Sequence, residues 1–128
     1  MTWLAAILSV KIVVTALASA IPFLILPPAR LAALTGAGVG AAPLFRLYGV
    51  AIAALLVGYA SGFWLMAQGV FPWGVVSMGI VSNGGATLAL VLTGAGRRAL
   101  PFVLFLGAIT LALVAAAVAP GWALSPIT

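Results

Sequence analysis

The chain contains no Asp, Glu, His or Cys among its 128 residues. Carboxylates and imidazole supply most general acids and bases, and metals are held by thiolate, imidazole or carboxylate. The composition therefore predicts no enzyme, no metal centre and no cofactor. Haem would lack a histidine, and a retinal-type Schiff base on a lysine would lack an acid as counterion. Without cysteine there are no disulfides and no thiol chemistry. Charge is scarce as well: the five basic residues are Lys11, Arg30, Arg46, Arg97 and Arg98, and charged residues make up 4 % of the chain. Soluble domains carry about a quarter, so this chain could not cover an aqueous surface.

What is present is hydrocarbon-soluble. Hydrophobic residues form 66 % of the sequence, and a membrane-spanning helix needs about 20 of them in a row. Spans are expected over residues 3–26, 44–67, 73–93 and 100–119. Ala, Leu, Gly and Val runs without period-2 alternation favour helices over a barrel. The expected fold is all-α: an integral membrane four-helix bundle and a single transmembrane domain over 1–128. The run ending in Ala18-Ser19-Ala20 resembles a signal-peptide cleavage site. Lys11 interrupts that run and hydrophobicity continues to Leu26, so the segment reads as a retained first span.

Proline punctuates the chain. Pro27-Pro28 should end span 1 and Pro22 should kink its last turns. Ala29–Leu34 suits a short interfacial helix, and Pro43 and Pro101 suit the first turns of spans 2 and 4. The turn from Gln68 to Pro72 makes spans 2 and 3 a tight hairpin. Leu34-Thr35-Gly36-Ala37-Gly38 recurs as Leu92-Thr93-Gly94-Ala95-Gly96, and at the same offset Pro43 matches Pro101 and Gly49 matches Gly107. Either a duplicated two-helix hairpin or convergence of two loops explains the echo.

Basic residues set an expected orientation. Arg30, Arg97 and Arg98 lie in loops 1 and 3, with Arg46 at the adjoining membrane boundary, where lipid phosphate is the expected inner headgroup contact of all four. The positive-inside rule puts these loops in the cytoplasm and both termini outside a bacterial inner membrane. Trp3, Trp64, Trp73 and Trp122 all fall towards the opposite side, as an aromatic belt does. Dispersed charges without an aromatic–basic patch argue against nucleic acid.

Lys11 is the costliest residue, roughly 12 Å into span 1 at ~1.5 Å per residue. A cation near the bilayer centre costs at least about 2.5 kcal/mol. It either snorkels to the surface or meets a ligand or an acid on another subunit. Tyr59, Asn83 and Thr110 lie at similar depth on the other spans, so the four residues are candidates for a polar layer, serving as helix–helix glue or as a ligand site. Small residues at four-residue spacing, Ala54, Gly58 and Gly62 on span 2 and Ala108, Ala112 and Ala116 on span 4, are candidate packing faces.

The stretch Leu44-Phe45-Arg46-Leu47-Tyr48-Gly49-Val50-Ala51 resembles the arginine–glycine entry of span 2 in DoxX-like proteins, small four-span bacterial membrane proteins of which some are associated with quinone-linked oxidoreductases. Span count and length agree. Lys11 lacks the preceding glycine usual in that family, and no Glu follows Gly49. The leading expectation is a non-catalytic accessory or structural subunit of a larger bacterial inner-membrane complex, respiratory or photosynthetic. The alternatives are a homo-oligomeric channel or carrier for a small neutral or anionic solute, and a quinone- or lipid-binding membrane protein. Membrane lipids are expected partners under every reading.

Overall fold

The computed structural model describes residues 1–128 and is all-α, with four long apolar helices and no strands. The first long helix comprises α1 (Trp3–Thr15), a π-helical turn (Ala16–Ala20) and α2 (Ile21–Ile25). A short helix α3 (Pro28–Thr35) and a 3-10 turn (Val39–Ala41) lead into α4 (Ala42–Ala67). Then follow α5 (Trp73–Leu92), a 3-10 turn (Ala95–Arg97), α6 (Leu100–Val118) and a single turn, α7 (Pro120–Ala123). The helices long and apolar enough to cross a membrane are Trp3–Ile25, Val39–Ala67, Trp73–Leu92 and Leu100–Val118; their ends lie within a residue or two of the expected ranges, except that helical structure begins earlier before span 2.

Proline explains the irregularities of the first helix. The π turn stands just before Pro22, with the Ile21 N–H donating to the Ala16 carbonyl. Pro22 has no N–H and its ring crowds the preceding turn, and both proline and π-bulges are places where helices bend. The helix stops where Leu26 turns extended, at ψ 142°, as the residue before a proline prefers.

The chain packs as two compact units, one of Val10–Ala60 and one of Met1–Ser9 with Ser61–Thr128; the boundaries fall within α1 and α4. In the 10–60 unit, α4 passes close to the end of the first helix at Gly49. A side chain there would come within 3.1 Å of Leu24 and Phe23. The Phe23 ring also meets Phe45 and Tyr48, at centroid distances of 5.2 and 5.8 Å.

In the other unit α5 and α6 pack along their length, with Val75, Val76, Val103, Leu106, Ile109 and Leu113 buried. Both chain ends join it. The Trp3 N–H donates to the Ser125 carbonyl, the Ile127 N–H to the Met1 carbonyl, and Trp3 stacks on Trp122 at 5.6 Å. The Thr2 hydroxyl reaches Met66 Sδ at 3.8 Å, which brings the end of α4 to the same place. All four tryptophans belong to this unit and are partly exposed.

The small-residue stripes do not act as uniform faces. Ala54 and Ala108 are exposed, Gly58 and Ala112 half-buried, and Gly62 and Ala116 buried. A four-residue step overshoots the ~3.6-residue turn, so each stripe rotates as it climbs. The far ends turn inward: a side chain at Gly62 would sit 3.2 Å from Leu8 and 3.3 Å from Val75. Ala54 and Ala108 face outward, where packing could only be against a partner.

Candidate functional site

Within the 10–60 unit, α1 presents Lys11 and Thr15 one turn apart, and Ser19 follows in the π turn. All three are buried, Lys11 with 5 % and Thr15 with 6 % of its surface exposed. Residues four apart on a helix share a face, so the cation and the Thr15 hydroxyl line one side of α1. Lys11 Nζ lies 5.9 Å from the centroid of the Tyr59 ring, itself 1 % exposed. This is within reach of a cation–π attraction. The protein covers the Lys11 side chain almost completely.

Thr15 Oγ1 is buried with no hydrogen-bond partner. Threonine in an apolar helix ordinarily bonds the carbonyl four residues back, which here belongs to Lys11. An unsatisfied hydroxyl in an apolar surrounding costs about 1–3 kcal/mol. Neither Thr15 nor Ser19 was among the expected site residues. The signal that would have found them is the four-residue repeat Lys11, Thr15, Ser19.

The other half of the expected polar layer lies in the second unit. Asn83 is 1 % exposed, and its Nδ2 donates to the Gly79 carbonyl at 2.7 Å. The Thr87 hydroxyl donates to the Asn83 carbonyl at 2.8 Å and the Thr110 hydroxyl to that of Leu106, also at 2.8 Å. Thr110 packs beside Gly84, where an added Cβ would stand 3.2 Å from its Cγ2. The Thr87 and Thr110 hydroxyls, and one Asn83 N–H, are occupied by their own helices. Lys11 pairs spatially with Tyr59, and Thr110 sits beside the residue following Asn83.

Arg46 has a role besides the expected headgroup contact. Its Nη1 donates to the Phe23 carbonyl at 2.7 Å, and Nη2 donates to the Leu26 carbonyl. In a continuing helix the Phe23 carbonyl would accept from residue 27, but Pro27 has no N–H. The guanidinium replaces the donor that proline removed. It sits at the start of its own helix, against the helix dipole, because it serves the C-terminal end of another, where a cation is favoured. Arg30, Arg97 and Arg98 are exposed, in α3 and in the loop before α6.

The arrangement around Lys11 can hold a negative charge or a carbonyl oxygen: a cation, a hydroxyl without a partner and an aromatic face, buried in a chain with no Asp or Glu. No protein family, no curated protein and no solved structure matches this chain.

Proposed function

We propose that the chain is a non-catalytic multi-pass membrane protein that binds a small ligand through an anionic or carbonyl oxygen at Lys11 and Thr15, beside Tyr59. The observation that carries this reading is the buried Thr15 hydroxyl without a partner, one turn from a buried cation. Buried polar groups are otherwise satisfied, and an oxygen acceptor placed here would take a hydrogen bond from the hydroxyl and neutralise the ammonium. A small anionic solute meets these needs. So does a quinone carbonyl, which the resemblance of residues 44–51 to DoxX-like proteins also suggests. The arginines and tryptophans favour a bacterial inner membrane, with both termini outside and residues 94–98 inside.

The test is thermal stability of the purified protein in mild detergent, with chloride, acetate or a short-chain benzoquinone as probe. One probe should raise the Tm of the wild type, by mass action on the folded state. Thr15→Val and Lys11→Met should each abolish that rise. A rise that survives both substitutions, or no rise with any of the three, refutes the reading.

A second reading, an accessory subunit of a larger membrane complex, is favoured by the outward-facing small residues Ala54 and Ala108, over which another helix can approach closely. Pairing of Lys11 with an acid on that partner finds no support in so buried a side chain. Co-purification from native membranes that falls with Ala108→Phe supports the subunit reading; a lone, stable monomer refutes it.

A further inference from the structure

We infer that α5, α6 and the loop between them form a binding site for one anionic phospholipid, with the phosphate at Arg97 and an acyl chain in the trough between the helices. The inference stands apart from the Lys11 site and lies wholly within the unit of residues 61–128.

Two clefts carry it. The first, of about 660 Å³, runs between α5 and α6 and is lined by Gly84, Thr87, Leu88, Gly107, Ala108 and Leu111, among others. The second, of about 550 Å³, lies at the loop end and includes Thr93, Gly94, Gly96, Arg97 and Leu100. Val91 and Val103 line both, so the trough continues into the basic loop. Its floor exists because glycine and alanine occupy the facing positions. The two threonines in it spend their hydroxyls on the Asn83 and Leu106 carbonyls, and the Thr87 methyl lies 3.7 Å from where a Cβ at Gly107 would stand. The trough walls are therefore apolar in spite of the threonines.

Its dimensions match one leaflet. From Leu100 to Leu111 the helix rises about 16 Å, and half of a ~30 Å hydrocarbon core is ~15 Å. A chain lying in the trough thus begins at headgroup level and ends near the bilayer centre. Arg97 stands at the headgroup end and Arg98 beside it, both exposed, and no acid in the chain competes for them. Arginine recognises phosphate through paired N–H groups. Charge at one end and an apolar trough of leaflet length at the other select a lipid over a free anion.

Native mass spectrometry of the full chain released from mild detergent tests this, with phosphatidylglycerol and phosphatidylcholine of matched acyl chains. The wild type should retain phosphatidylglycerol preferentially. Arg97→Gln should lower that retention about fivefold, the loss expected for one basic residue at a membrane surface. Ala108→Phe, at an exposed position inside the trough, should lower it as well, whereas Arg30→Gln in the other unit should not. Equal retention of the two lipids, or full retention by Arg97→Gln, overturns the inference. So does displacement by millimolar inorganic phosphate combined with indifference to Ala108→Phe, which would mark a free-anion site.

Discussion

The two compact units differ in how one buried hydroxyl is treated. In the unit of residues 61–128, Asn83, Thr87 and Thr110 each turn back on the carbonyl of an earlier turn of their own helix. In the unit of residues 10–60, Thr15 has the same option and leaves it unused, next to a buried lysine. A polar side chain satisfied by its own helix needs nothing further from the structure or from a ligand. One that is buried and unsatisfied persists at a cost, and that cost separates a binding candidate from structural polarity. Residue type alone would not distinguish Thr87 or Thr110 from Thr15; the destination of the hydroxyl's hydrogen bond does.

The largest expected effect breaks the polar arrangement of the 10–60 unit at Arg46. Arg46→Met strips the Phe23 and Leu26 carbonyls of charged donors, each such bond being worth about 1.5–3 kcal/mol. Unfolding in mixed detergent should show a loss of about 3 kcal/mol or more, and a loss below 1 kcal/mol would mean that water or lipid serves the carbonyls equally well. Thr15→Val is nearly isosteric and should reverse the sign. Without ligand it should gain about 1–2 kcal/mol by removing an unpartnered hydroxyl, and a net loss in the same unfolding assay would show that the hydroxyl is satisfied after all.

Gly36 and Gly94 sharpen the comparison by predicting equality. Both follow a threonine at a helix end and adopt positive φ, 72° and 74°. Gly→Ala at either should cost about 1–2 kcal/mol, the left-handed penalty of an L-residue, and thermal denaturation of the two variants should agree. The smallest effects belong to Thr87→Val and Thr110→Val. Each should lose about 0.6 kcal/mol, the average for such bonds in membranes. A gain at either would erase its contrast with Thr15.

The echo between the loops is legible in both sequence and structure. Thr35 and Thr93 each donate to the carbonyl four residues back, at 2.7 Å. A left-handed glycine, a 3-10 turn and a proline in the first turn of the next long helix follow in both places. The span positions were legible for a simple reason: hydrophobic length and proline act locally, and both are written in consecutive residues. The role of Arg46 was not legible, because its partners are main-chain carbonyls some twenty positions earlier that carry no side-chain signature. Pro27 was visible, but the carbonyl it orphans becomes a signal only once α4 is known to pass beside it. Thr15 is not legible in the sequence because what sets it apart is a hydrogen bond it does not make. The outward placement of Ala54 and Ala108 was hidden by the mismatch between a four-residue repeat and a 3.6-residue turn.

The clasp between the chain ends bears on the order of biosynthesis. Met1 and Trp3 bond Ile127 and Ser125, and Trp3 lies on Trp122. Residues 1–3 thus wait for partners that are made after all four long helices. While α4, α5 and α6 are still being delivered to the membrane, the start of the first helix lacks these partners. The clasp can close only after residue 127 has been made. A nascent chain halted in α6 should therefore expose Trp3 to quenchers that cannot reach it to the same extent in the finished protein.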